Sequence, residues 1–162
     1  MSCRIQNNGF TLIELIVVLA IISAIATIIA PYASRTNNTL KIKEHALNIA
    51  ETIKYAIDLA GNSQKSVILT IDTKNKSYRL KRAGDNGHLE SIDGFYGMTR
   101  VLGNDTQISN LNGFSANGRY QTLLFDPAKQ WPNASLSISN IDILEKIKIN
   151  YKSVTIESST YF

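Results

Sequence analysis

Residues 9–15 read GFTLIEL and open the run FTLIELIVVLAIISAIATIIA, residues 10–30, in which Glu14 is the sole charged side chain before Pro31. As a helix at ~1.5 Å per residue this run is about 31 Å long, close to a ~30 Å hydrocarbon layer. It is therefore expected to be able to span a membrane, and three readings compete: a cleaved secretory signal, a plain transmembrane anchor, or an anchor trimmed at its front. The secretory reading finds Arg4 as a thin basic region and Ala24-Ile25-Ala26 as a cleavage pattern. Against it, the apolar run is longer than a usual signal core, and Glu14 stands where such a signal wants only apolar residues. Basic residues do not settle orientation, since Arg4 precedes the run while Arg35, Lys41 and Lys43 come after it.

Glu14 is the informative residue. A carboxylate in the middle of a membrane helix costs roughly 2.5–3.5 kcal/mol on insertion scales, so such groups usually have a partner. The bland alternative is snorkelling, because Glu14 lies only ~6 Å of helix from Phe10.

Pro31 either ends the helix or, if the helix continues, kinks it by removing a hydrogen bond and crowding the preceding turn. The residues beyond Pro31 favour continuation. In LKIKEHALNIAETIKYAIDLA, residues 40–60, an apolar stripe runs through Ala46, Ala50, Ile53, Ile57 and Ala60 at steps of four and three. One long helix from about 10 to 60 is expected, kinked near Pro31, loosened at Thr36-Asn37-Asn38-Thr39 and stopped at Gly61-Asn62.

Past the helix the period changes to two. Strands are expected at Ser66–Ile71, Ser77–Leu80, Thr122–Phe125, Ser135–Ser139, Lys146–Asn150 and Ser153–Glu157, with Asp72-Thr73-Lys74-Asn75-Lys76 as a hairpin connection and the last two strands as a C-terminal hairpin. Residues 84–118, rich in Gly, Asn and Asp, read as loops with short strands at Phe95-Tyr96 and Gln107-Ile108. The fold class is α+β, with a long N-terminal helix packed on antiparallel sheet. The expected divisions are residues 1–9, a polar segment; 10–31, a transmembrane helix; 32–62, its amphipathic continuation; and 63–162, a β-rich domain.

Lys and Arg number 17 against 13 Asp and Glu. Arg4 and Glu14 cancel, so the net charge of +4 lies wholly after Pro31, a mild basic bias. Cys3 is the single cysteine, which excludes an internal disulfide framework. His45, beside Glu44, reads as a surface residue, and Trp131 as a core or edge aromatic. Asp85, Asn86, Glu90 and Asp93 offer oxygens to calcium, but their spacing is not that of an EF-hand loop. No phosphate-binding loop, nucleophile elbow or zinc-binding helix motif occurs, and His88 with Asp105 has no catalytic signature around it. No enzyme and no cofactor are expected.

The string GFTLIELIVVLAII resembles the signal of type IV pilins and type II secretion pseudopilins, in which a short polar leader ends in Gly, a Phe comes next, and Glu is the fifth residue after the cut. Gly9, Phe10, Glu14 and Pro31 all fall where that family places them. The resemblance implies that residues 1–9 are a leader cleaved between Gly9 and Phe10 by a prepilin peptidase, that Phe10 is N-methylated, and that 10–31 is a transmembrane or filament-core helix. The anchor would be kept in the cytoplasmic (inner) membrane, with the C-terminal domain on the periplasmic side. It further implies that Glu14 of an incoming subunit meets the Phe10 ammonium of a neighbour, as subunits pass from membrane lipid through an inner-membrane assembly platform into a filament of pilins or pseudopilins. The tail, with Phe125-Asp126-Pro127, a strand near Ala134–Ser139 and a terminal hairpin, resembles the general secretion pathway protein H and related minor-pilin group. There the turn usually leads into Gly, where this chain has Ala128-Lys129. The expected function is a minor pseudopilin or minor pilin that helps assemble or cap its filament. The alternative is a minor pilin serving as a DNA receptor through Lys74, Lys76, Arg79, Lys81 and Arg82, a basic cluster around one hairpin.

Overall fold

The computed structural model describes residues 11–84, 87–129, 131–150 and 153–160, with the backbone alone for 29–35. Helix α1 (Leu12–Ser63) leads into ten strands: β1 (Val67–Asp72), β2 (Ser77–Ala83), β3 (Leu89–Ser91), β4 (Arg100–Val101), β5 (Gln107–Asn112), β6 (Ser115–Asn117), β7 (Tyr120–Phe125), β8 (Ala134–Ser139), β9 (Ile143–Asn150) and β10 (Ser153–Thr160). The chain divides into two compact units, Met1–Asn37 and Asn38–Phe162.

The helix runs on past Pro31 and through Thr36–Thr39, so proline is not a terminator here and the expected loosening is absent. The side chain of Pro31, and with it the expected kink, lies outside the described residues. The helix also passes through Gly61-Asn62, where a stop was expected. It ends at Ser63 because Gln64 takes a left-handed φ of 54°, and the Gln64 side chain reaches back so that Nε2 donates to the Gly61 carbonyl at 2.7 Å.

In the second unit the α1 stripe Ile42, Ala46, Ile49, Ala50, Ile53, Ala56 and Ala60 is buried to 2% exposure or less. Small residues alternate with isoleucines along it, which lets the helix approach a sheet closely while still filling the gaps. Two antiparallel sheets supply the facing surface. The first has the order β3-β2-β1-β7-β6 with β4 also paired to β2, and the second the order β10-β9-β8-β5. Val67, Leu69 and Ile71 of β1, Leu123 and Phe125 of β7, Leu136 and Ile138 of β8, and Ile147 and Ile149 of β9 enter one core with the helix. Trp131 packs at its margin, 6.4 Å from the Phe125 ring.

The strands expected from alternation form, most of them longer than expected. β9 begins at Ile143, three residues before the expected Lys146, because Glu145 occupies the buried side between Ile143 and Ile147. That carboxylate is 1% exposed, and both its oxygens lie within hydrogen-bond distance of the Ser158 hydroxyl across the hairpin, at 2.8 and 2.7 Å. Gln107-Ile108 opens β5, whose register shifts between Ser109 and Asn112 where Asn110 has φ 50°. Phe95-Tyr96, expected as a strand, sits in a turn instead. Tyr96 stacks on Tyr55 of α1 with ring centroids 4.4 Å apart, so aromatic packing, not sheet pairing, uses these residues. His45 is half-buried and not the surface residue expected; burial lowers its pKa from 6.5.

Ile53 is fully buried and central to the helix face. Ile53→Ala should cost about 2–5 kcal/mol through lost burial and the cavity left behind. Exposed Lys54→Ala should stay within about 0.5 kcal/mol. Paired urea unfolding curves check both.

Candidate assembly helix and basic hairpin

Gly9 and Phe10, the expected processing residues, lie outside the described residues. The described chain starts one residue later, with Thr11 as the N-cap of α1. Its Oγ1 accepts from the Glu14 backbone N–H at 3.3 Å, and its carbonyl accepts from Glu14 and Leu15 at 3.1 and 3.3 Å. Thr11-Leu12-Ile13-Glu14 thus has the spacing of a capping box, and Glu14 occupies the first turn, where the helix dipole favours a negative charge.

Behind it the surface is apolar on every side. Leu12, Ile13, Leu15, Ile16, Val17, Val18, Leu19, Ile21, Ile22, Ile25 and Ile28 are 43–77% exposed. Ser23 and Thr27 do not interrupt this, since each donates its hydroxyl to a carbonyl of the preceding turn, Leu19 and Ala24, at 2.7 Å. Among the described residues no helix is long and apolar enough to cross a membrane. Residues 12–28 reach ~26 Å at ~1.5 Å per residue, short of a ~30 Å hydrocarbon layer. Phe10 and the side chains of 29–31, which complete the expected span, lie outside the described residues.

The basic cluster is only partly assembled. The β1–β2 hairpin forms with Asp72 opposite Ser77 and Thr70 opposite Arg79. Asp72 organises the turn: Oδ1 accepts from the Lys74 and Asn75 backbone N–H groups at 3.1 and 3.0 Å, and Oδ2 from Asn75 Nδ2 at 3.0 Å. Lys76 donates Nζ to the Asn104 carbonyl. Arg82 is half-buried and lies 3.5 Å from the Glu90 carboxylate. Lys74 and Arg79 remain exposed and Lys81 half-exposed, so five expected contacts reduce to three available cations.

Two residues that sequence reasoning passed over join this hairpin. β7 pairs antiparallel with β1, placing Tyr120 opposite Asp72, and Arg119 Nε lies 3.4 Å from Asp72 Oδ2. Arg119 also donates to the Tyr120 hydroxyl and stands 4.7 Å over its ring. Nothing local in Gly118-Arg119-Tyr120 signals this, because it depends on a strand pairing some fifty residues away in the chain.

In the loop region, Glu90 is engaged by Arg82, and Asp85 and Asn86 lie outside the described residues. Among the described residues no group of three or more acidic, His or Cys side chains is placed to hold a metal.

Compared with known proteins, residues 4–30 match the prokaryotic N-terminal methylation motif. No curated protein matches the chain. Among solved structures, it is similar to two of the minor pseudopilin EpsH from the type II secretion system of Vibrio cholerae. The first is 13% identical with a TM-score of 0.57, over 74% of this chain and 97% of that one. The second is 11% identical with a TM-score of 0.57, over 72% and 92%. The first residues thus carry the methylation motif, and the fold is similar to that of the minor pseudopilin EpsH.

The Asp72 carboxyl is held below its usual 3.8, first by the Asn75 backbone hydrogen bond and then by Arg119, against the opposing effect of burial. A lowered folded pKa contributes stability that is present above 3.8 and is lost as pH falls through the folded value. Asp72→Asn should therefore be less stable than the parent at pH 7, and the gap should shrink as pH drops below about 3.8. Urea midpoints of both proteins, taken from neutral pH down to about pH 2.5, test this.

Proposed function

We propose that this chain is a minor pseudopilin, a non-catalytic structural subunit of a type II secretion pseudopilus that helps assemble or cap the filament. One observation carries the reading: a helix front with eleven exposed large apolar residues and a single carboxylate, headed by the methylation motif and leading into a domain of EpsH fold. Such a surface has no stable state in water and needs lipid or the helices of neighbouring subunits around it.

On this reading prepilin peptidase cuts between Gly9 and Phe10 and Phe10 is N-methylated. The helix is stored in the inner membrane with the β domain outside. At the assembly platform, Glu14 pairs with the Phe10 ammonium of a neighbouring pilin or pseudopilin. A role for the same plan in a type IV pilus, with DNA bound by Lys74, Arg79 and Lys81, is the competing outcome. The engagement of Lys76 and Arg82 within the fold weighs against it.

A strain lacking the gene should trap exoprotein in the periplasm while leaving pili unaffected; normal secretion would overturn the pseudopilus reading. Gly9→Ala should leave the leader attached, seen as an unshifted mass of the membrane-extracted protein. Glu14→Ala should be processed normally yet be depleted in sheared filaments, and undiminished incorporation would remove the charge pair from the mechanism. Loss of DNA uptake, together with low-salt DNA binding that weakens steeply with added salt, would favour the competing outcome.

A further inference from the structure

The outer face of the first sheet carries a concavity of about 200 Å³ that the assembly mechanism does not use, lined by Asp72, Arg79, Thr99, Arg119 and Tyr120 among others. Three formal charges face it. Asp72 is 7% exposed, and its oxygens already receive two backbone N–H groups and the Asn75 amide, with Arg119 Nε in ion-pair range at 3.4 Å. It has little capacity left for an incoming group and serves to anchor Arg119. The Arg119 guanidinium has five N–H donors, of which one on Nη2 goes to the Tyr120 hydroxyl while Nε lies in ion-pair range of Asp72, so at least three remain. Its plane is braced over the Tyr120 ring, so it offers a pre-set fork. Arg79, exposed on the strand opposite Thr70, finds no ion-pair partner among the described residues.

The sum is two cations against one carboxylate whose bonding is satisfied, leaving one uncompensated positive charge in a shallow site bordered by hydroxyls. The geometry points to a subsite for a single carboxylate, the side chain of a Glu or Asp on a partner protein, gripped between Arg79 and the free edge of Arg119. A monoanion neutralises the site. The guanidinium fork matches a planar carboxylate with two parallel hydrogen bonds. The small volume and open mouth suit the end of a side chain carried on another surface, while a duplex would need cations spread along a groove.

Binding is read on the full-length chain in detergent micelles, without any filament, so its failure is distinguishable from failure of the pseudopilin reading. The probe is N-acetylglutamate α-amide, blocked at both ends so that its side-chain carboxylate is the only charge, and binding is observed through the Arg79 and Arg119 side-chain N–H signals by NMR. Saturable shifts are expected with this probe and none with N-acetylglutamine amide. Arg79→Gln should raise Kd at least tenfold while leaving the backbone spectrum intact, and Arg79→Lys should recover part of the loss. Lys54→Gln, on exposed helix surface, should change nothing. Absent or non-saturable shifts, equal response to the uncharged probe, or indifference to Arg79→Gln would overturn the proposal. Tighter binding of inorganic phosphate or of a short single-stranded oligonucleotide through the same two arginines would overturn it too, replacing the carboxylate by a phosphate.

Discussion

The burial of one face of a single helix organises the second unit. Ile42, Ala46, Ile49, Ala50, Ile53, Ala56 and Ala60 can leave water only by meeting apolar faces of comparable length, and two sheets provide them. At roughly 1.5–3 kcal/mol for each large side chain fully buried, this core is the main favourable contribution to that unit. The same helix poses the opposite problem toward its front. There, eleven large apolar residues stand exposed among the described residues, and even partial removal from water is worth on the order of 10 kcal/mol. One helix therefore carries two kinds of apolar surface: one that folds the domain, and one that stays unsatisfied until something else surrounds it.

Polar groups are placed where the sheets need them to be tied. Asp72 closes the β1–β2 turn and, by receiving Arg119, fastens β7 to the same corner. Glu145 does the converse. It interrupts an otherwise apolar face of β9 and is held by Ser158 of β10, joining the terminal hairpin through a buried oxygen pair. Removing such a partner leaves a buried polar group unsatisfied, which is costlier than never having placed it there.

Much of this was legible in the residues. Alternation located six strands because five have buried apolar residues on one face and β10 has the half-buried Val154 and Ile156, and the helix stripe was readable from its steps of three and four. Glu14 and the string around it pointed to the methylation motif that residues 4–30 match. The parts that were not legible have a common physical origin in contacts between distant segments. The start of β9 was hidden because a buried Glu145 looks like a surface residue until Ser158 is placed beside it. The Phe95-Tyr96 turn looked like a strand because the same residue types serve sheet faces and aromatic stacking alike. Gln64 ended the helix where Gly61 was expected to, since an amide side chain reaching back to a carbonyl makes a left-handed conformation tolerable for a non-glycine. The Arg119 site required the β1–β7 pairing, and no local pattern encodes which strands become neighbours.

The proposed assembly mechanism turns on how far local structure can stabilise Glu14. Its place in the first turn, capped by Thr11, is worth about 0.3–1 kcal/mol through the helix dipole. A carboxylate in hydrocarbon at mid-helix costs roughly 2.5–3.5 kcal/mol, less near the interface, so the cap offsets only part of the expense of keeping this charge among isoleucines and leucines. A cation supplied by a neighbour removes the remainder, and it does so only in a dry setting, where the attraction between unit charges is many times its value in water. The helix front is thus tolerable in lipid and better satisfied against another subunit. On the proposed mechanism, that difference gives an apolar helix, which by itself would have no preference between lipid tails and leucines, a reason to leave the membrane.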